Sequence, residues 1–171
     1  MLEIQIARSQ DAPIIALLAR ITFTETFGNL FEDRSDLLEY LDHTFEVSKI
    51  EMGIAKPQNL FAIAYVNGLP VGYGKLKYNS PSDFVDVFPL CQLQKLYVLQ
   101  DFLAQKIGYQ LQSFLFAQAS ENGFDNIWLS VLDSNRRAIS FYERNGFEEI
   151  GKFQFQIGKE KFDFTALLKA L

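Results

Sequence analysis

The chain has 171 residues, 49% of them hydrophobic, and its 16 basic against 21 acidic side chains give a formal net charge of -5. This length and this apolar content predict a single domain over residues 1–171 with a full core, and they exclude a disordered chain. The net charge has the wrong sign for holding a phosphate backbone, so we expect no nucleic-acid partner.

The only cysteine, Cys91, and the only histidine, His43, limit the possible chemistry. They cannot form an internal disulfide or a zinc site of the common nitrogen and sulfur type, so no metal is expected. We expect Cys91 to be an inert core thiol and His43 to lie on the surface at a helix end. The start lacks a secretory signal, and the apolar run 13–19 is too short to span a bilayer, so we expect a cytoplasmic protein with no membrane partner.

The N-terminal part of the chain predicts one strand and two amphipathic helices. Residues 2–6 alternate apolar with polar side chains, which is the period of a half-buried strand. Ser9 or Asp11 before Pro13 then marks a helix start, and apolar residues at helical spacing predict this helix and a second one that ends near His43.

The middle of the chain predicts a β-hairpin followed by a loop and another strand. Residues 60–66 and 71–77 read as strands, and Asn67-Gly68 between them is the strongest short hairpin signal. Residues 79–89 are rich in Ser, Pro and Asp and predict a loop, after which residues 91–98 predict a strand.

The C-terminal part alternates helices with strands. Apolar spacing predicts a helix over 104–122. The capping residues Asp133, Ser134 and Asn135 predict a short helix through Arg144, and strands are predicted over 126–131, 147–156 and 161–168. The whole order therefore predicts a mixed α/β (α+β) fold with about seven strands and about four helices.

The segment 96–108 runs from a strand through a short loop into a helix. Such a junction points unpaired backbone N–H groups and the positive end of a helix dipole at one spot, which is a common way to bind phosphate. The same junction also occurs in many α/β proteins that bind no ligand there. Whether this one binds phosphate therefore has to be judged from the surrounding sequence.

A series of motifs lies further along the chain. Trp128-Leu129-Ser130-Val131 is followed by Asn135, then by Ala138-Ile139-Ser140-Phe141-Tyr142 and by Gly146-Phe147. In order and spacing this series resembles the GNAT acyltransferase superfamily. The resemblance implies a mostly antiparallel central sheet splayed between its fourth and fifth strands, with acetyl-CoA as co-substrate.

The cofactor loop departs from that family's pattern. Its motif reads Gln or Arg, any, any, Gly, any, Gly or Ala, and here only Gly108 fits, since Leu103 replaces the polar residue and Lys106 the first glycine. We hypothesise that backbone amides still hold the pyrophosphate and that Lys106 or Gln105 adds a side-chain contact. The predicted cofactor-binding residues are Leu96, Tyr97, Val98, Leu103, Ala104, Gln105, Lys106, Ile107, Gly108, Tyr109, Asn135, Phe141 and Tyr142.

The resemblance also implies catalytic roles. Tyr142 is expected to be the general acid that protonates the leaving thiolate, although a Phe-Tyr pair can also simply pack a helix onto a sheet. The backbone N–H of Val98 is expected to stabilise the oxyanion. Asn135 is expected to hold the cofactor arm, to cap a helix, or both.

A finer resemblance, to the spermine/spermidine acetyltransferase (PaiA-like) branch, lies in Phe23-Thr24-Glu25-Thr26-Phe27 and near Asp163. It implies that Phe23, Glu25, Phe27 and Asp163 contact the acceptor. The general base stays open: Gln92 and Gln94 stand where family members often carry Glu, which leaves Glu25, Asp163 or a water chain.

Three functions remain open at this point. The first is acetylation of a small cationic amine such as a polyamine. The second is acetylation of a peptide N-terminus or a protein lysine, and the third is a non-catalytic acetyl-CoA-binding module. A homodimer is possible for each of them.

Overall fold

The computed structural model describes all residues, Met1–Leu171. The seven strands are β1 (Leu2–Ile6), β2 (Asn59–Val66), β3 (Leu69–Lys77), β4 (Cys91–Val98), β5 (Asn126–Leu132), β6 (Glu148–Ile157) and β7 (Glu160–Ala170). The five α-helices are α1 (Ala12–Phe27), α2 (Arg34–Thr44), α3 (Val47–Ala55), α4 (Ile107–Glu121) and α5 (Arg136–Arg144).

The strands form one sheet in the order β1-β2-β3-β4-β5-β7-β6. Every neighbouring pair is antiparallel except β4 and β5, which are parallel and in register only at Cys91 with Ile127 and Gln92 with Trp128. Beyond Gln92 the two strands diverge and leave a gap in the middle of the sheet. The predicted splay between the fourth and fifth strands is therefore confirmed.

Two apolar layers cover the two faces of the sheet. On one face α4 and α5 contribute residues such as Leu111, Leu115 and Ile139 to a cluster of 18 buried residues. On the other face α1 and α2 contribute residues such as Phe23 and Leu41 to a second cluster of 15 buried residues. Helices α1 and α2, which precede β4 in the chain, thus lie on one face of the sheet, and α4 and α5, which follow it, lie on the other.

The predicted β2–β3 hairpin is confirmed together with its turn. Asn67 and Gly68 have φ values of +50° and +81°. Positive φ at both central residues is what a two-residue hairpin turn of the right twist requires, and it explains why Asn-Gly occurs there.

Two details differ from the sequence predictions. Helix α3 was not predicted, because it is only nine residues long and contains Gly53, a poor helix former. Its Ile50 and Ile54 have helical spacing and pack against the second buried cluster. Helix α4 begins at Ile107 rather than at residue 104, because the preceding residues form a separate 3-10 turn. None of the helices is both long enough and apolar enough to cross a membrane.

Candidate active site

A cavity of about 820 Å³ opens at the gap between β4 and β5. Its wall comes from the last turns of α1, the end of β4, the following loop, the start of α4 and the first turns of α5. A second cavity of about 60 Å³ adjoins it deeper in the gap and shares Tyr97, Asn135 and Tyr142 with it. The site is thus built where the sheet itself is interrupted.

The end of β4 turns a backbone donor into the gap. Leu99 N–H donates to Val71 C=O at 2.8 Å, so Leu99 faces β3. Successive N–H groups of an antiparallel strand point to opposite edges, and the N–H of Val98 therefore points away from β3 towards the diverged β5. No strand residue is in register with Val98 on that side, and Val98 lines the cavity.

The loop after β4 contains a backbone conformation that favours glycine. Residues Gln100–Gln105 form a 3-10 turn, and Lys106 follows with φ +58° and ψ +15°, in the left-handed region. An L side chain adopts this conformation at a cost, whereas glycine adopts it freely. The structure thus explains why the family motif carries glycine at the position of Lys106.

Helix α4 leaves its first amides without partners. The first intrahelical bond in this turn runs from Gln110 N–H to Lys106 C=O at 3.1 Å, and no side chain caps the helix. The N–H groups of Ile107, Gly108 and Tyr109 are therefore unpaired within the helix, and Gly108 and Tyr109 line the cavity. Such an arrangement holds a phosphate well, because the amides and the helix dipole act on the same anion.

The start of α5 adds polar groups to the opposite wall. The Asn135 side chain accepts a hydrogen bond from Ala138 N–H at 3.2 Å and so caps the helix. Arg137 lies in the first turn, is exposed, and lines the cavity without an ion-pair partner. Lys106 and Arg137 are thus two free cations on one cavity, which suits a ligand that carries several phosphates.

Tyr142 combines a packed ring with a place on the cavity wall. It is 8% exposed and packs edge-to-face on Phe141 and Phe147, with centroid distances of 5.3 and 5.4 Å. Burial, with a smaller contribution from Tyr97, raises the pKa of the Tyr142 phenol above its ordinary value. The phenol is therefore protonated at neutral pH, which is the state that a proton donor needs.

Glu25 is the one carboxylate on the wall of the larger cavity. Its Oε2 accepts a hydrogen bond from Gln100 N–H at 3.1 Å, which ties the end of α1 to the cofactor loop. Of the other residues predicted to contact the acceptor, Phe27 lines the smaller cavity, whereas Phe23 and Asp163 line neither cavity. Phe23 and Phe27 stack on each other in the core, and Asp163 is an exposed residue of β7 that accepts from Gln154 Nε2 at 2.8 Å.

The predicted cofactor residues all line the cavity except two. Gln105 is exposed in the 3-10 turn, and Ile107 is buried beneath α4. The sequence analysis missed Gln100 and Arg137. Arg137 could have been found, since a cation two positions after a predicted helix cap falls in the first helical turn.

Gln94, which stands where family members often carry Glu, lines the smaller cavity, whereas Cys91 and His43 line neither cavity. Cys91 is buried, and burial raises the pKa of its thiol to about 12, so the thiol is inert. His43 is exposed in the last turn of α2, and its carbonyl accepts from Lys49 Nζ at 2.6 Å.

These features define the class of protein: a transferase that takes its acyl group from a CoA thioester. They are the splayed sheet, the uncapped start of α4 beside it, and the two free cations on the cavity. The described residues fit acetyl-CoA, because the unpaired amides of α4, Lys106 and Arg137 lie on the wall of one cavity. The family model described as "Acetyltransferase (GNAT) family" matches residues 22–147, and the chain belongs to this family. It is an acetyl-CoA-dependent N-acetyltransferase.

Individual proteins agree with this assignment. An N-acetyltransferase from the pepI 3' region of Lactobacillus delbrueckii subsp. lactis is 29% identical over 165 residues, which is 95% of this chain and 93% of that protein. The PaiA N-acetyltransferase of Thermoplasma acidophilum, solved with coenzyme A, superposes with a TM-score of 0.78 at 19% identity over 100% of this chain and 99% of its own. The ribosomal-protein-S18-alanine N-acetyltransferase of Escherichia coli superposes with a TM-score of 0.73 at 17% identity, covering 99% and 94%. The two structures show a shared fold.

Proposed function

We propose that this enzyme moves the acetyl group directly to a primary amine of a small acceptor, with Tyr142 as the general acid. The observation that carries the proposal is that the unpaired start of α4, the free N–H of Val98 and the protonated Tyr142 belong to one cavity. Acetyl-CoA supplies the acetyl group as a thioester.

Each group has one task in the proposed mechanism. The amides at the start of α4, with Lys106 and Arg137, hold the phosphates of the cofactor. The Val98 N–H donates to the acetyl oxygen as negative charge develops there. Tyr142 then gives its proton to the departing sulfur, which would otherwise leave as a thiolate.

The test is Tyr142→Phe, which removes the hydroxyl and keeps the ring that packs on Phe147. We expect turnover, measured as release of free CoA thiol, to fall about 10²–10⁴-fold, as for the loss of a general acid. Binding of CoA by calorimetry should stay close to that of the wild type. Tyr73→Phe is the matched control, because Tyr73 is a similarly buried tyrosine on β3 outside the cavity. Full turnover in Tyr142→Phe would remove the general-acid role.

The acceptor is proposed to present its ammonium group to Glu25, as the one carboxylate on the larger cavity. Glu25 would hold the ammonium group and take up its proton before attack. The polyamine predicted from the sequence is one such acceptor, and a peptide N-terminus is the alternative. A panel of spermidine, simple monoamines and short peptides, assayed by thiol release with the wild type and with Glu25→Gln, would separate them. Equal rates for the two proteins with every amine would contradict the role of Glu25.

Two further points belong to the same proposal. A cytoplasmic location agrees with the inert, unpaired Cys91. A homodimer is proposed only as the state to test first, by sedimentation of the purified protein.

A further inference from the structure

A group of lysines on the sheet carries positive charge without any acidic partner. Lys75 on β3 and Lys95 on β4 are direct cross-strand partners. Side chains that face each other across an antiparallel pair lie on the same face about 5 Å apart at their Cβ atoms. Like charges in that position destabilise a sheet, so the pair needs an explanation.

Partial burial adds to the cost of this pair, and only aromatic rings attract its ammonium groups. Both side chains are partly buried, and their ammonium groups lie over aromatic rings: Lys75 Nζ is 5.2 Å from the Phe61 centroid and Lys95 Nζ is 5.9 Å from that of Phe45. Neither ammonium group forms an ion pair, since the chain's salt bridges involve only Arg20, Lys152 and Lys159.

The charges around Lys75 all have the same sign. Burial and then the charges of Lys95, Lys77 and Lys56 lower its pKa from the ordinary value to about 8. Burial alone lowers the pKa of Lys95. No carboxylate offsets these effects, and each ammonium group has only the weaker attraction of one aromatic ring. An anion from outside would therefore find two partly desolvated cations without an ion-pair partner.

The lysine pair lies two residues along β3 and β4 from a residue of the active site, although neither lysine lines either cavity. The adjoining cross-strand pair on the same two strands, Tyr73 with Tyr97, is two residues further along and so faces the same way. Tyr97 lines both cavities. Lys95 and Val98 are three residues apart on β4, which is roughly 10 Å along a strand. A small molecule can span that distance.

We propose that Lys75 and Lys95 bind a carboxylate of the acceptor, so that the substrate is an amine that also carries an acid group. The proposal rests on the amine acetylation argued above. The proposed acceptor is therefore amino acid-like rather than a polyamine, because the lysine pair would repel a molecule that carries only ammonium groups. Glu25 would take the amine end and the two lysines the acid end.

The kinetic test compares two acceptors that differ at one end. 5-Aminopentanoate and 1,5-diaminopentane have one amine in common, and only the first carries a carboxylate. We expect kcat/KM to favour 5-aminopentanoate in the wild type and to fall about 10–100-fold for that acceptor in Lys75→Met and in Lys95→Met, the loss typical of a charged hydrogen bond. The same variants should use 1,5-diaminopentane at least as well as the wild type does. Lys161→Met, which removes one exposed charge from β7, is the matched control.

A binding test separates this site from the transfer reaction. Glutarate carries carboxylates and no amine, so it should raise the Tm of the wild type and of Lys161→Met at matched ionic strength, and not that of Lys75→Met or Lys95→Met. If glutarate acts in this way but no amine is acetylated, the anion site stands and the proposed acceptor reaction fails. If amines are acetylated but glutarate has no effect, or inorganic phosphate acts in its place, the carboxylate site is overturned. Methionine keeps the apolar stem and removes the repulsion, so both variants should fold, with a Tm no lower than that of the wild type.

Discussion

At the scale of single residues, Lys106 shows how one side chain can carry two opposing effects. Its backbone is left-handed, which disfavours any residue with a Cβ, while its side chain lines the cavity and is proposed to hold the cofactor phosphates. Glycine would relax the backbone and lose the cation. The lysine therefore suits the loop only if its charge contributes to binding.

Two substitutions separate these effects. Lys106→Ala keeps the backbone strain and removes the charge, whereas Lys106→Gly removes both. We expect Lys106→Gly to be more stable than Lys106→Ala by about 1 kcal/mol in urea unfolding, because only glycine adopts this φ freely. Both should bind CoA more weakly than the wild type by calorimetry, to a similar extent. Wild-type affinity in both variants would show that the side chain makes no contact with the cofactor.

At the scale of secondary-structure elements, the contact between α4 and β3 fixes where the helix start lies. A Cβ on Gly74 would come within 2.4 Å of Leu115 Cδ1, and Leu115 is completely buried. The absence of a side chain at Gly74 thus lets α4 approach the sheet closely. Leu115 belongs to the same helix as Gly108 and Tyr109, so this contact also fixes the position of their unpaired amides.

We expect Gly74→Ala to lower the free energy of unfolding by about 1–3 kcal/mol, the usual cost of overpacking a core. Gly53→Ala in α3 is the control, since its Cβ would meet Phe61 Cζ at an ordinary 3.6 Å and alanine is the better helix former by about 1 kcal/mol. Urea unfolding of both variants measures the difference. A Gly74→Ala protein as stable as the wild type would mean that Leu115 can move aside and that this contact does not position α4.

At the scale of the whole molecule, the splay leaves few backbone contacts to hold the two halves of the sheet together. Strands β4 and β5 are in register at only two residue pairs, and the cavity opens where the pairing stops. A ligand that contacts β4, α4 and α5 together therefore bridges both halves. Its binding free energy adds to the stability of the folded chain, because the unfolded chain has no such cavity.

We expect CoA to raise the Tm, with a gain of about 2.7 kcal/mol at a hundredfold excess over its Kd. Pantetheine has the same thiol arm and lacks the diphosphate and the nucleotide, so at equal concentration it should raise the Tm much less. Differential scanning fluorimetry with both ligands checks this. Equal shifts would contradict the assignment of the α4 amides, Lys106 and Arg137 to the phosphates.

The sequence by itself determined the α/β class, the hairpin at Asn67-Gly68, the resemblance to the GNAT family and most of the cavity wall. These features depend on local periodicity, on turn conformations and on motifs that keep their spacing, so they can be read along one chain. The start of α4 and the presence of α3 could not be predicted in this way. Lys106 and Gly53 are unfavourable for a helix at these places, so packing against the rest of the molecule determines the structure there.

Only the tertiary structure decided which distant residues meet. Glu25 reaches Gln100 across 75 positions of sequence. Asp163 is exposed, although the resemblance implied that it contacts the acceptor. Lys75 meets Lys95 because β3 and β4 pair in one particular register. Strand register and the direction of a side chain from a sheet follow from long-range pairing, and no local pattern in the sequence contains them.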